Sequence, residues 1–109
     1  RGRLVLAYHN KLVAGCCALR ALKSTTYQDA AELKRLYVRP DFRGTGLGRQ
    51  LAEYMIKAAN EIGYASILLD TLPTMQEARQ LYARMGFHPI APYYQSPVEG
   101  TAFLQLSLG

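Results

Sequence analysis

Two apolar runs open the chain, RLVLAY at 3–8 and KLVAGCCAL at 11–19, separated by His9 and Asn10. Asparagine favours a tight turn, so the pair predicts a β-hairpin. LKSTTYQD at 22–29 is polar and reads as a loop. AAELKRLYV at 30–38 reads as a strand. Strict alternation puts Glu32, Lys34, Leu36 and Val38 on one face and Ala31, Leu33, Arg35 and Tyr37 on the other. Pro40 lacks an N–H and ends the ladder. The apolar spacing then changes: Leu47, Leu51, Tyr54, Met55, Ala58 and Ile62 recur at helical intervals. Arg49, Gln50, Glu53, Lys57, Asn60 and Glu61 take the opposite side, and Gly63 stops the helix. YASILLD at 64–70 is a short apolar run of strand length, buried on both faces. Pro73 and Thr74 introduce a second helix, with Ala78, Leu81, Tyr82 and Met85 on one face and Gly86 as its stop. FHPI at 87–90 and TAFLQLSL at 101–108 read as strands, joined by the Pro/Tyr-rich loop APYYQSPVEG at 91–100.

The predicted order is β-β-β-α-β-α-β-β, an α+β arrangement around one mixed sheet. Its middle strand–helix–strand unit calls for a right-handed crossover, with strands 30–38 and 64–70 parallel. A chain of 109 residues suffices for one small domain, residues 1–109, with one core. No repeat or low-complexity segment interrupts it. The start, Arg1-Gly2-Arg3 without a Met and running straight into a strand, reads as a trimmed N-terminus.

Composition narrows the function. Hydrophobic residues make up 50% of the chain, which argues against disorder. No apolar run approaches the roughly 20 residues that span a bilayer, and no signal peptide is visible, so neither a membrane partner nor secretion is expected. The net charge of +5 fits an acidic partner such as a phosphorylated cofactor. Lys and Arg form no run and are not interleaved with aromatics, so nucleic acid is not the expected partner. Cys16 and Cys17 are adjacent and cannot make a CxxC site; reduced thiols in a cytoplasmic protein are the expectation. His9 and His88 have no ligand-like company, so no metal site is expected.

The chemistry concentrates in VRPDFRGTGLGRQLAEYM at 38–55. Glycines at 44, 46 and 48 precede a helix N-terminus, whose free N–H groups favour phosphate. A tight strand-to-helix turn would also need glycine. The loop ends Gly48-Arg49-Gln50 and lacks the Lys-Ser/Thr of a Walker A loop. Its GxGxG spacing and its place after a third strand do not fit a Rossmann fingerprint.

Arg43-x-x-Gly46-x-Gly48 after a strand ending in YV resembles the coenzyme A loop of the GNAT acetyltransferases. EARQLYARMGF at 77–87 resembles that superfamily's second cofactor segment through Ala78, Tyr82, Gly86 and Phe87. The resemblance runs from residue 3 to residue 108. It departs at Met75, where the family often has Asn, and in lacking the strand and two helices that begin complete members. Those helices usually wall the acceptor site, so the chain is read as a fragment or as walled by another element such as a homodimer partner.

The resemblance implies an acetyl-CoA-dependent N-acetyltransferase that needs no metal and passes acetyl directly to a small-molecule or peptide amine. Tyr37 and Val38 would pair with the pantetheine arm. The N–H groups of Arg43, Gly44, Thr45, Gly46, Leu47, Gly48 and Arg49 would hold the pyrophosphate, with the Arg43 side chain adding a charged contact. Arg39 reads as solvated surface charge. Tyr82 is the candidate proton or hydrogen-bond donor to the leaving thiolate; its helical spacing also suits a core aromatic. Glu32 is the candidate general base, although ideal strand geometry puts it roughly 20 Å from Val38. The other reading of Glu32 is an exposed strand charge. Tyr93, Tyr94 and Glu99 sit where the resemblance has a loop overhanging the acceptor, or a stiff Pro-anchored connection. A non-catalytic acyl-CoA-binding module is the rival reading.

Overall fold

The computed structural model describes residues 3–9, 11–23 and 26–108. The turn expected at Asn10, Ser24 and Thr25 of the polar loop, the first two residues, and the side chains of His9 and Arg35 lie outside what it describes. The strands are β1 Arg3–His9, β2 Leu12–Leu22, β3 Ala30–Val38, β4 Ser66–Thr71, β5 His88–Ile90 and β6 Ala102–Ser107. The helices are α1 Leu47–Ile62 and α2 Gln76–Arg84, and a 3-10 turn over Pro40–Phe42 follows β3. One six-stranded sheet forms in the order β1-β2-β3-β4-β6-β5. Its ladders are antiparallel except β3–β4, which is parallel as the crossover requires.

The parallel ladder is short and decides the molecule's shape. Only Ala30↔Ser66, Ala31↔Ile67 and Glu32↔Leu68 pair; beyond them β3 and β4 separate into a V rooted at Glu32 and Leu68. On its other side, β3 stays paired to β2 as far as Gly15↔Val38. One arm of the V is therefore braced from behind while its inner edge is left unpaired by β4.

Both helices cover one face of the sheet. Leu51, Met55 and Ala59 of α1 and Tyr82 of α2 join one cluster with Cys17, Leu19, Ala31, Leu33, Ile67, Leu69 and Leu104. Cys17 is fully buried and Cys16 half-buried, as opposite faces of a strand demand. On α1 the buried stripe runs through Ala52 and Ala59, while Tyr54 stands exposed, against the sequence expectation. Alanine can occupy the closest approach to the sheet; a tyrosine at the stripe's margin turns out to water.

The strict alternation expected for β3 fails for a local reason. Cys16↔Tyr37 and Ala18↔Lys34 oppose two steps on β2 to three on β3, a β-bulge with the extra residue on β3. Leu36 and Val38 consequently pack against the same core as Ala31 and Leu33. Glu32 and Lys34 face the other way. α1 crosses β2 at Gly15, where an added Cβ would stand 2.7 Å from the Tyr37 carbonyl oxygen and 3.2 Å from Leu51 Cδ1. Gly15→Ala is expected to cost about 1–3 kcal/mol, read as a lower urea midpoint with an unchanged m-value.

Candidate active site

On the helix side of the V lies a cleft of about 750 Å³. Tyr37 and Val38 of β3, the loop Phe42–Gly44, the first turn of α1, Thr74 and Met75 just before α2, and Gln76 to Ala78, Leu81 and Arg84 of α2 line it. Gly44 and Gly46 hold φ of 81° and 85°, the left-handed region open to glycine, and a Cβ on either would meet no atom within 4 Å. Gly46 is the N-cap of α1 and no side-chain oxygen caps the helix. The first-turn N–H groups of Leu47, Gly48 and Arg49 are thus the unpaired donors of a helix start at the cleft wall. Thr45 is absent from the lining; its hydroxyl donates to the Phe42 carbonyl at 2.6 Å and closes the turn.

Charge in the cleft is positive. Arg43, Arg49 and Arg84 face Glu77 alone among ionisable lining groups other than Tyr37. Arg43 Nε donates to the Val38 carbonyl at 2.9 Å and its guanidinium lies 5.6 Å from the Tyr37 ring centroid, which sets its head beside β3. Arg49 pairs with Glu53 one turn on. Arg39 is exposed, and its Nη1 donates to the Val13 carbonyl at 3.4 Å.

The opposite face of the V carries a polar network. Glu32 is 2% exposed. Its Oε1 accepts from Arg20 Nε at 2.9 Å and Nη2 at 2.8 Å, and its Oε2 accepts from Tyr93 Oη at 2.9 Å and lies 3.2 Å from Lys34 Nζ. Burial of a carboxylate is supportable because both oxygens are satisfied. Lys34 Nζ also reaches Asp70 Oδ1 at 3.3 Å, crossing from β3 to β4 two residues past the root on each arm. Tyr94 donates to Asp70 Oδ2. The segment 91–101 is thereby hydrogen-bonded to both arms, and Tyr93 and Tyr94 each stand edge-on to Phe103, centroids 5.1 Å away. Arg79 ties the end of that segment to β4: its Nη2 donates to the Gly100 carbonyl at 2.7 Å and to the Thr71 carbonyl at 3.4 Å, and its Nε to the Leu72 carbonyl, just past the strand, at 3.2 Å. Glu99 is exposed and outside the network.

Tyr82 lies in the core on the helix side, 5% exposed, its ring centroid 5.4 Å from that of Phe87. Burial first, then the charges of Cys17 and Asp70, push its phenol well above the ordinary range. Tyr94 is pushed up to about 12, chiefly by its hydrogen bond to Asp70. Burial pushes the Cys17 thiol up to about 12, which makes it inert.

The Acetyltransferase (GNAT) domain model matches residues 1–89. The chain belongs to the GNAT acetyltransferase family. An N-acetyltransferase of Schizosaccharomyces pombe, itself uncharacterised, is 42% identical over 77 residues, covering 71% of this chain and 47% of that one. The chain thus spans less than half the length of that relative. A GNAT-family acetyltransferase from Staphylococcus aureus Mu50 superposes with a TM-score of 0.84 at 23% identity, over 99% of this chain and 68% of that one. The Salmonella typhimurium protein yncA, solved with its cofactor acetyl-CoA, superposes at 0.80 and 22% identity over 97% of this chain and 64% of that one.

Within this GNAT fold, Tyr37, Val38, Arg43, Gly44, Gly46, Leu47, Gly48 and Arg49 converge on one cleft. Glu32 stands on the opposite face in a saturated network, which overturns its reading as an exposed charge. Met75 is the N-cap of α2 with no side-chain cap, and Thr74 lines the cleft beside it. Sequence reasoning missed Arg84, Lys34, Arg20 and Asp70. Asp70 left a signal: a carboxylate closing the apolar run SILL has to find a partner inside the fold. Among the described residues, no group of three or more His, Cys, Asp or Glu side chains converges as a metal site would, and no helix is long and apolar enough to cross a membrane.

Proposed function

We propose that the chain carries the donor half of an N-acetyltransferase site: acetyl-CoA occupies the helix-side cleft and an amine meets its acetyl group at the root of the V. The observation that carries this reading is the cleft, where two left-handed glycines, an uncapped helix start and three arginines face one volume of about 750 Å³. That chemistry suits a pyrophosphate. The unpaired inner edge of β3 suits an amide-bearing arm laid along it as another strand would be. Thr71 adds support from the other arm: its hydroxyl is buried with no partner among the described residues, an arrangement that costs about 1–3 kcal/mol until something bonds to it. The yncA complex with acetyl-CoA lends the same fold a precedent.

Acetyl-CoA supplies an activated thioester; the chain's residues bind, orient and manage protons. Tyr37 and Val38 fix the arm, and the N–H groups of Gly44 to Arg49 with Arg43 fix the phosphates. Tyr82, held protonated, donates a hydrogen bond at the sulfur. Glu32 is the base in this reading: the amine's proton reaches it through water as one of its four donors gives way. The test is free-thiol release from acetyl-CoA with a panel of small amines and short peptides. Thiol release that depends on one acceptor class supports transfer. Coenzyme A binding without release, in a longer chain as well, favours a non-catalytic acyl-CoA-binding module.

A further inference from the structure

Lys34 is the cation that bridges the two arms of the V. Pairing ends at Glu32↔Leu68, and two residues further on the Lys34 ammonium links β3 to Asp70 of β4. Two of its N–H groups are committed to Glu32 at 3.2 Å and Asp70 at 3.3 Å. The third is left to the Tyr94 ring, 5.5 Å to the centroid, and to the open side of the V, where the side chain keeps 31% exposure. The groups facing it are Glu32 on β3, Asp70 on β4, Tyr93 and Tyr94 on the 91–101 segment, and Arg20 on β2 through Glu32. Two carboxylates balance two cations, so the site is neutral before any ligand arrives.

In the proposed site the acetyl group reaches the root of the V, and transfer there creates a negative charge on sulfur. The acceptor nitrogen bonds to the acetyl carbon, the carbon–sulfur bond breaks, and its electron pair stays on sulfur. The amine's proton leaves toward Glu32 by way of water. Tyr82 is a reluctant proton source, since burial and the nearby Asp70 hold its phenol protonated. A hydrogen bond from Tyr82 therefore leaves most of the charge on sulfur.

We infer that the Lys34 ammonium meets the departing coenzyme A sulfur and stabilises it as a thiolate, making Lys34 a catalytic residue of this chain. The inference rests on the proposed coenzyme A site, and it assigns Lys34 beyond the loop and tyrosine that the family resemblance pointed to. Lysine suits the task as a compact cation on a flexible stem that can follow the sulfur while Glu32 and Asp70 keep hold of its other N–H groups.

The experiment needs no acceptor. Coenzyme A with a free thiol is bound to the wild-type chain, Lys34→Met and Lys34→Arg, with affinity measured by calorimetry. The thiol is titrated by its thiolate absorbance, taken as loaded minus ligand-free protein. Lys34→Met leaves two carboxylates against Arg20 alone. The bound thiol should then titrate about one to two pH units higher than in wild type, with affinity at neutral pH changed less than threefold. Lys34→Arg keeps the cation and should recover most of the shift. The same titration point in wild type and Lys34→Met, with coenzyme A bound in both, overturns the inference. So does a higher affinity of Lys34→Met for simple alkylamines, which would make Lys34 a tethered stand-in for the acceptor. No coenzyme A binding by the wild type is a different result: it removes the proposed function itself.

Discussion

Replacing Gly46 with valine is expected to abolish coenzyme A binding at concentrations that saturate the wild type. Gly46 holds φ at 85° as the N-cap of α1. A side chain in this region costs roughly 1–2 kcal/mol, and more when β-branched. Among the described residues, its chain neighbours apart, nothing stands within 4 Å of the new Cβ, and Gly46 lines the cleft, so the side chain is expected to project into it. The backbone relieves its strain by turning the N–H groups that open α1, each worth about 1.5–3 kcal/mol against a charged phosphate. The sum predicts an affinity loss of at least ~10²-fold. Gly46→Ala separates the two causes, since it brings most of the strain and little of the bulk. Calorimetry with coenzyme A, beside a urea midpoint for each variant, reads both. Unchanged affinity in a folded Gly46→Val chain would sink the loop assignment.

The loop was legible in sequence because its requirement is local. Positive φ calls for glycine, the helical period that follows marks where free N–H groups must gather, and both can be counted along the chain. The crossover that makes β3 and β4 parallel was legible for a similar reason, since a strand–helix–strand unit has one favoured hand. The bulge in β3 was not. It exists only in the register with β2, and it reverses the faces of Leu36 and Val38 relative to Glu32. Of the two readings of Glu32, the exposed strand charge fails, because a lone carboxylate on a strand gives no hint of a partner 61 residues away, Tyr93, or of Arg20 across the hairpin. Lys34 and Asp70 escaped notice likewise: their meaning comes from the point where the parallel ladder stops. Local chemistry revealed the loop that lines the cleft, and long-range pairing made the polar network on the other face.

Tyr82→Phe should lower turnover by about 10²-fold while leaving coenzyme A affinity within twofold of wild type. The substitution removes one oxygen and keeps the ring that packs on Phe87, so the core survives. Alanine would be a poor probe: emptying a site 5% exposed costs about 3–5 kcal/mol, enough to confuse unfolding with lost chemistry. The direction of the phenol's shift shapes the kinetics further. Because burial, Cys17 and Asp70 push its phenol well above the ordinary range, Tyr82 is expected to donate only a hydrogen bond, and its own ionisation to draw no alkaline limb in the pH–rate profile. If Tyr82 gives only a hydrogen bond, the Lys34 ammonium carries the larger share of the sulfur's charge. Combining Tyr82→Phe with Lys34→Met would then cost less than the two single losses multiplied, since both act on one atom. A Tyr82→Phe chain with full turnover and a lower urea midpoint would return the hydroxyl to a purely structural role.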